Sequence, residues 1–371
     1  MHIESLARPG IRGLTPYQPG KPISELQREL GLREIIKLAS NENPLGPGAR
    51  ALAAARTALA DCHLYPDGSG FELKAALARR LAVEPARITL GNGSNEVLEL
   101  IARIFLGEGT EAVFSEHAFA VYPLATQACG ATAVVAPAHD GSRGPRYGHD
   151  LQAFADRITP RTRVVFIANP NNPTGTSLGR DELRQFIQSL PQTTLVVVDE
   201  AYFEYVDAAD YPDTVQWLPD FPNLIVTRTF SKAYGLAGFR VGYSVSSPEL
   251  AQWLNRIRLP FNVSIPALEA ARAALDDDEH LNRSVALNQA ERAVLSRELA
   301  ARGLACIPSV GNFVTVDTGR PAAPLYEALL RHGVIVRPVA NYGLPQHLRV
   351  TVGLPEQNQQ FLNALDRVLA A

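Results

Sequence analysis

Thr229-Phe-Ser-Lys-Ala-Tyr-Gly-Leu-Ala-Gly-Phe-Arg240 sets a lysine beside two hydroxyls, with small residues and an arginine downstream. Thr229 and Ser231 can donate to an anion, and the planar fork of Arg240 can neutralise it. Lys232 then carries an amine beside an anion-binding cup. Pyridoxal phosphate chemistry needs that combination: a lysine that forms an imine with an aldehyde carbon, and donors that grip a nearby phosphate. Taken alone, the stretch favours a solvated lysine near a salt bridge, because short motifs match by chance.

Other loops supply what that chemistry lacks. Thr194-Leu-Val-Val-Val198 reads as a strand buried on both faces, and Asp199-Glu200-Ala-Tyr202 ends it. A carboxylate there sits where open α/β sheets bind ligands, so Asp199 can pair with a protonated ring nitrogen. Arg163–Ala168 is a strand that runs into Asn169-Pro-Asn-Asn-Pro-Thr-Gly175, and its two Asn-Pro steps aim Asn172 from a fixed position. Asn172 and Tyr202 can hydrogen-bond a phenolic oxygen. Arg87–Leu90 is a short strand feeding Gly91-Asn-Gly-Ser-Asn-Glu96, after which Val97, Leu100, Ile101, Ile104 and Phe105 form an apolar helical face. That turn offers free N–H groups to a phosphate, with Ser94 or Asn95 expected to cap the helix. Ala112–Phe114 is the next strand, and Phe119 just beyond it can cover a flat ring, although a lone aromatic there is more often core. Leu224–Thr227 precedes the lysine motif. Five strands between residues 88 and 229 thus each end in a polar loop, and the loops carry complementary chemistry.

These elements need a large frame, and the chain has one. Its 371 residues are 46% hydrophobic and 20% charged, enough for one large core or two moderate ones. A net charge of −3 without a basic run argues against nucleic acid. No stretch approaches the ~20 apolar residues of a membrane span, and Met1–Arg8 has no apolar signal core, so a cytoplasmic protein is expected. The cysteines (Cys62, Cys129, Cys306) read as buried thiols in a reducing compartment. The eight histidines have no ligand-like spacing, so no metal site is expected.

Residues 1–38, rich in proline and glycine, read as an N-terminal arm with one helix at about Ser24–Leu30. Residues 39–256 read as the large domain, with helices at Ala49–Ala60 and Phe71–Leu81 and a surface excursion at 138–149. Residues 257–371 read as a smaller α/β domain. A long interrupted helical tract (about Ile265–Arg302) leads to short strands at Phe313–Val316, Val334–Val336 and Leu348–Val352, alternating with helices Pro324–His332 and Glu356–Ala370. The expected fold class is α/β, with a mostly parallel central sheet sandwiched by helices and a smaller C-terminal α/β domain.

Asn169–Gly175, Asp199–Tyr202 and Thr229–Arg240 resemble the signature of fold-type I aminotransferases of the aspartate aminotransferase superfamily, and the resemblance runs end to end. Tyr17–Pro22, Ser40–Pro47, Tyr65-Pro-Asp67, Gly333–Pro338 and Leu348–Gly353 are most similar to the histidinol-phosphate aminotransferases within it. The resemblance implies a pyridoxal 5'-phosphate enzyme with Lys232 as the Schiff-base lysine, Asp199 against the ring nitrogen, and Tyr202 and Asn172 at the phenolic oxygen. Ser94, Asn95, Thr229, Ser231 and Arg240 would hold the phosphate and Phe119 would cover the ring. Tyr65 would reach the cofactor phosphate of a neighbouring subunit, making a homodimer. Arg349 would bind the substrate's anion, with Arg337, Asn312, Tyr17 and Asn43 near it. The implied reaction is ping-pong transfer of an amino group from L-histidinol phosphate to 2-oxoglutarate, giving imidazole acetol phosphate and L-glutamate, a step of histidine biosynthesis. Two departures stand out: His117-Ala-Phe119 replaces the more usual Pro-Thr-Tyr, and Asn95 stands where aspartate is common.

Other readings share part of this pattern. An aromatic amino-acid aminotransferase would keep the cofactor residues and differ around Tyr17, Asn43 and Arg337, and a threonine-phosphate decarboxylase would share scaffold and phosphate. A cofactor-sensing regulator would need a fused basic helix-turn-helix, for which the arm is too short and too proline-rich. A nicotinamide-dependent dehydrogenase predicts GxGxxG, which Gly91–Glu96 does not match.

Overall fold

The apolar runs become strands whose two faces are both covered. The computed structural model describes residues 3–17 and 19–370, so Gln18 of the Tyr17–Pro22 segment and Met1-His2 of the N-terminus lie outside the described residues. The strands, in chain order, are β1 (Ile36–Lys37), β2 (Ile88–Gly91), β3 (Glu111–Ser115), β4 (Thr132–Ala136), β5 (Thr162–Ala168), β6 (Leu195–Asp199), β7 (Leu224–Thr229) and β8 (Gly242–Ser246). They continue with β9 (Cys306–Ile307), β10 (Phe313–Asp317), β11 (Val334–Ile335), β12 (Arg337–Val339) and β13 (Leu344–Thr351). Seven form one sheet in the order β2-β8-β7-β6-β5-β3-β4. Every pairing in it is parallel except those of β8, which runs antiparallel to both neighbours.

Alternation along the central strands explains why their sequences read as continuous apolar runs. Val165, Ile167, Val196, Val198, Leu224 and Val226 pack into one cluster with helices Phe71–Leu81, Arg180–Ser189 and Ile265–Leu275. Val164, Phe166, Val197 and Ile225 pack into another with helices Ser94–Phe105 and Pro248–Ile257. Each fully buried aliphatic side chain contributes roughly 1.5–3 kcal/mol, so these faces hold the strand ends, and the loops on them, in place. Helix Ile265–Leu275 starts with Pro266 in its first turn, as its fixed φ allows, and lies along the alanine-rich helix Ala49–Ala58.

The C-terminal strands form a four-stranded antiparallel sheet, β12-β13-β10-β9, over a core shared with helices Ala322–Arg331 and Pro355–Leu369. Helix Asp278–Ala301 adds Leu295 and Leu299 to that core. The N-terminal segment is stitched to this part. β1 pairs parallel with β11, and the Thr351 N–H donates to Leu38 O at 2.9 Å. The chain then turns into the Ser40–Pro47 loop at the centre of the molecule.

Three expectations are corrected here. Strands β1, β4, β8, β9 and β12 are added, and β4 makes six strands in the span where five were expected. β4 is a solvent-facing edge and so lacks the buried pattern of its neighbours. Neither Ser94 nor Asn95 caps helix Ser94–Phe105. Its N-cap is Gly93 with φ 76°, a conformation that suits glycine, and a Cβ there would run into the Arg240 guanidinium. The Asn92 N–H donates instead to the Glu96 carboxylate. The cysteines are free but not buried: Cys62 is exposed at the end of a surface turn, and Cys129 and Cys306 are half-buried.

Candidate active site

The C-terminal ends of β5, β6 and β7 open onto a cavity of about 170 Å³. Asp199, the last residue of β6, is buried at its floor between two donors. Tyr122 Oη donates to Asp199 Oδ2 at 2.8 Å, and Thr227 Oγ1 to Oδ1 at 2.9 Å. Burial pushes the Asp199 carboxyl above its usual value, while those two hydroxyls and Lys232 pull it back. Behind it, Glu200 is fully buried and accepts from Arg228 Nε at 2.9 Å and Thr214 Oγ1 at 2.6 Å, so the turn after β6 is pinned.

Lys232 Nζ donates to Ser40 O at 3.2 Å and lies 5.6 Å from the centre of the Tyr202 ring. Burial lowers its pKa to about 7, helped by the positive charges of Arg349 and Arg240 and opposed by Glu42 and Asp199. Tyr202 Oη accepts from Asn41 Nδ2 at 2.8 Å, and burial raises the phenol to about 12. Thr229, Ser231 and Arg240 form a cup. The Ser231 N–H donates to Thr229 Oγ1 at 3.1 Å, Thr229 Oγ1 donates to Ser231 Oγ at 3.0 Å, and Arg240 Nη1 reaches Ser231 Oγ at 3.4 Å. The start of helix Ser94–Phe105 borders the same cup, because Gly242 lies opposite both Gly91 and Thr229 in the sheet.

The other wall belongs to the C-terminal sheet. Arg349 is buried; its Nη1 donates to Asn172 Oδ1 and its Nη2 to Ala39 O at 2.6 Å, while Nε has no partner among the described residues. Arg337, also buried, lies with its guanidinium 5.5 Å from the centre of the Tyr17 ring.

Of the sixteen residues expected at the site, the cavity is lined by Lys232, Asp199, Tyr202, Ser94, Asn95, Phe119, Asn172, Thr229, Ser231, Arg240, Tyr17, Arg337 and Arg349. Asn43 is not among them. Its amide donates to Ala233 O and Ser284 Oγ, both at 2.8 Å, and its Oδ1 takes the Leu45 N–H, so it ties the loop from within. Asn312 lies one layer back and donates to Asn41 O at 3.0 Å. Tyr65 is 80% exposed, away from this chain's own cavity, and stacks on Phe261 at 4.8 Å. Sequence reasoning missed Asn41, Tyr122 and Thr227. Strand periodicity could have found Thr227, two residues before Thr229 and so on the same face. Asn41 lies within the Ser40–Pro47 loop and Tyr122 just beyond Phe119, but nothing local marks which polar group turns inward.

The model of the family "Aminotransferase class I and II" matches residues 33–365. The chain belongs to the class I and II aminotransferases. Over 369 residues, covering 100% of both chains, this aminotransferase is 63% identical to Histidinol-phosphate aminotransferase 2 of Methylococcus capsulatus. It is 57% identical to Histidinol-phosphate aminotransferase 2 of Pseudomonas fluorescens, covering 99% of this chain and 98% of that one. Among solved structures it is similar to the histidinol-phosphate aminotransferase of Sinorhizobium meliloti in complex with pyridoxal-5'-phosphate. That match has a TM-score of 0.88 and 33% identity, and covers 98% of this chain and 97% of the other. The aminotransferase has the α/β fold expected of fold type I, with a half-buried lysine, a buried carboxylate and two buried arginines converging from two sheets.

Proposed function

We propose that the protein transfers the amino group of L-histidinol phosphate to 2-oxoglutarate, with pyridoxal 5'-phosphate as cofactor. The observation that carries this reading is the buried pair Arg337 and Arg349 opening onto the same cavity as Lys232 and Asp199. The full-length identity to histidinol-phosphate aminotransferases supports the choice of donor.

The residues fit the cofactor. Arg240, Ser231, Thr229 and the N–H groups that open helix Ser94–Phe105 suit a phosphate ester. Asp199 suits a protonated ring nitrogen, Tyr202 and Asn172 a phenolic oxygen, and Phe119 a ring face. When bound, the cofactor supplies an aldehyde for the amine and a ring that takes up the electron pair left at Cα. Lys232 Nζ, poised near neutrality, is the base that takes the Cα proton. Asp199 keeps its counter-proton on the ring nitrogen, held to that task by Tyr122 and Thr227. Arg349 is the anion-binding fork: it takes the phosphate of the donor in one half-reaction and a carboxylate of the 2-oxo acid in the other, since a guanidinium matches both. Arg337 and Tyr17 complete that wall.

The active unit is a homodimer in this reading, with Tyr65 reaching the partner's cofactor phosphate. The exposed apolar side chains Leu59, Leu64, Tyr65, Phe71, Leu259 and Phe261 support it, since such residues suit a covered interface. The arm, large and small units are placed at 1–38, 39–256 and 257–371, and the packing of Ile265–Leu275 on Ala49–Ala58 favours moving the second boundary into helix Asp278–Ala301. Among the described residues no helix is long and apolar enough to cross a membrane, and a cytoplasmic location is part of the proposal.

The test is a single-turnover absorbance titration of the cofactor-loaded protein with L-histidinol phosphate. Conversion of the long-wavelength cofactor band to the pyridoxamine form, reversed by 2-oxoglutarate, is expected. A response to phenylalanine or tyrosine but not to histidinol phosphate would discard the donor. No visible cofactor band with Lys232 intact would overturn the whole reading.

A further inference from the structure

The segment carrying Phe119 holds a histidine that the chemistry above does not use. His117 is 4% exposed, and its Nδ1 lies 2.7 Å from Tyr342 O. A carbonyl only accepts, so Nδ1 carries the hydrogen. The His117 carbonyl in turn accepts from Asn171 Nδ2 at 3.0 Å. One residue therefore joins the ring-covering segment, the Asn169–Gly175 loop and the short turn Ala340–Tyr342. That turn links β12, which carries Arg337, to β13, which carries Arg349.

Tyr147 backs this joint. It comes from the surface excursion, has φ 68°, and sets its ring edge-on to His117 (5.4 Å) and to His347 of β13 (5.3 Å). It also packs on the cluster of Ile307, Val339, Tyr342 and Leu344. A positive φ at a tyrosine is uncommon and is kept only where the surroundings determine it.

We propose that His117, backed by Tyr147, is a positioning residue that fixes the two-arginine anion site relative to Phe119 and Asn172. The link acts on the anion rather than on the cofactor. Among the described residues its side-chain donor bond reaches the turn between the arginine strands, whereas the cofactor cup is built from the end of β7 and the loop that follows it. The proposal rests on the transaminase reading for its meaning, but its test does not.

The test compares His117→Phe, which removes the donor, with His117→Asn, whose amide N–H can take the place of Nδ1. In cofactor-loaded protein, calorimetry with inorganic phosphate and with 2-oxoglutarate reads anion affinity, and absorbance reads cofactor affinity. His117→Phe should weaken both anions by roughly five- to tenfold, raising KM for both substrates more than it lowers kcat. Cofactor affinity should stay within about twofold, and His117→Asn should restore the anions. Should His117→Phe not fold, Tyr147→Leu reads the same link and should weaken phosphate more than cofactor. Unchanged phosphate affinity, equal loss of phosphate and cofactor, or no rescue by Asn would each overturn the proposal. A parent protein that binds phosphate but ignores histidinol phosphate would sink the donor assignment instead, and phosphate affinity would still decide the role of His117.

Discussion

Arg337 and Arg349 are cross-strand partners on antiparallel β12 and β13, and both are buried. Like charges so placed repel. Arg349 is held below the usual guanidinium value, first by burial, with Arg337 contributing. An anion between them relieves both effects. In cofactor-loaded protein, where the Thr229–Ser231–Arg240 cup is already filled, inorganic phosphate should therefore add ~2–3 kcal/mol of stability at a hundredfold excess over its Kd, read as a rise in Tm. Arg349→Met should abolish the rise, and an unchanged Tm in the parent would count against the anion site.

Arg349→Lys tests geometry rather than charge. Lysine carries all its donors on one nitrogen and so cannot reproduce the planar fork that reaches Asn172 Oδ1 and Ala39 O from separate nitrogens while facing the cavity. KM for donor and acceptor should rise together by ~10–100-fold, with the cofactor spectrum intact. Steady-state kinetics with both substrates varied would show it.

Lys232 makes the cofactor-free protein pH-sensitive. Its folded value of about 7 lies below its ordinary 10.5, so between those values the unfolded chain binds more protons than the folded one. The stability this group permits is fully present above about 10.5 and is lost as pH falls through about 7. Lys232→Met should therefore raise Tm most at and below neutral pH, the gain fading towards pH 10.5. A gain independent of pH would mean the amine is not penalised by burial.

Asp199 and its donors should separate chemistry from binding. Asp199→Asn should lower kcat by ~10²-fold or more while the cofactor is retained. Tyr122→Phe removes only the bond to Oδ2, so it should cost less, ~10-fold, and move the pH profile of kcat towards higher pH as the carboxylate loses a donor. A profile that does not move would remove Tyr122 from this role.

Tyr65 predicts complementation. Lys232→Met and Tyr65→Ala proteins should each be weak alone. Mixed dimers contain one site with both residues native, so activity after co-refolding should exceed that of either variant. No gain would place the function of Tyr65 within its own chain or nowhere.

Much of the framework was legible because its causes are local. Residues 195–198 and 224–226 announce buried strands by apolar content alone, and Phe71–Leu81 is a helix with the expected bounds. What stayed hidden depended on partners distant in sequence. β8 is Gly-Tyr-Ser-Val-Ser, polar at alternate positions yet fully buried, because β2 and β7 close on it from both sides. Asn43 was expected near the substrate's anion but ties its own loop instead, because its acceptors, Ala233 O and Ser284 Oγ, come from elements 190 and 241 residues away. Gly93 took the cap because a side chain 147 positions later fills the space a Cβ needs.

The two walls of the cavity come from different sheets. Asp199, Thr229 and the loop from Thr229 to Arg240 belong to the seven-stranded one, where a Cβ on Gly242 would press into the backbone of Gly93 and Ser94. Arg337 and Arg349 belong to the four-stranded one. In the function proposed above, grip on the coenzyme and choice of amino donor thus sit on separate pieces of architecture. In that reading, mutations in β12 and β13 act first on the preference for an acidic group and reach the coenzyme side through the bond from Arg349 to Asn172, whereas a change at Gly242 presses on the backbone at the start of helix Ser94–Phe105.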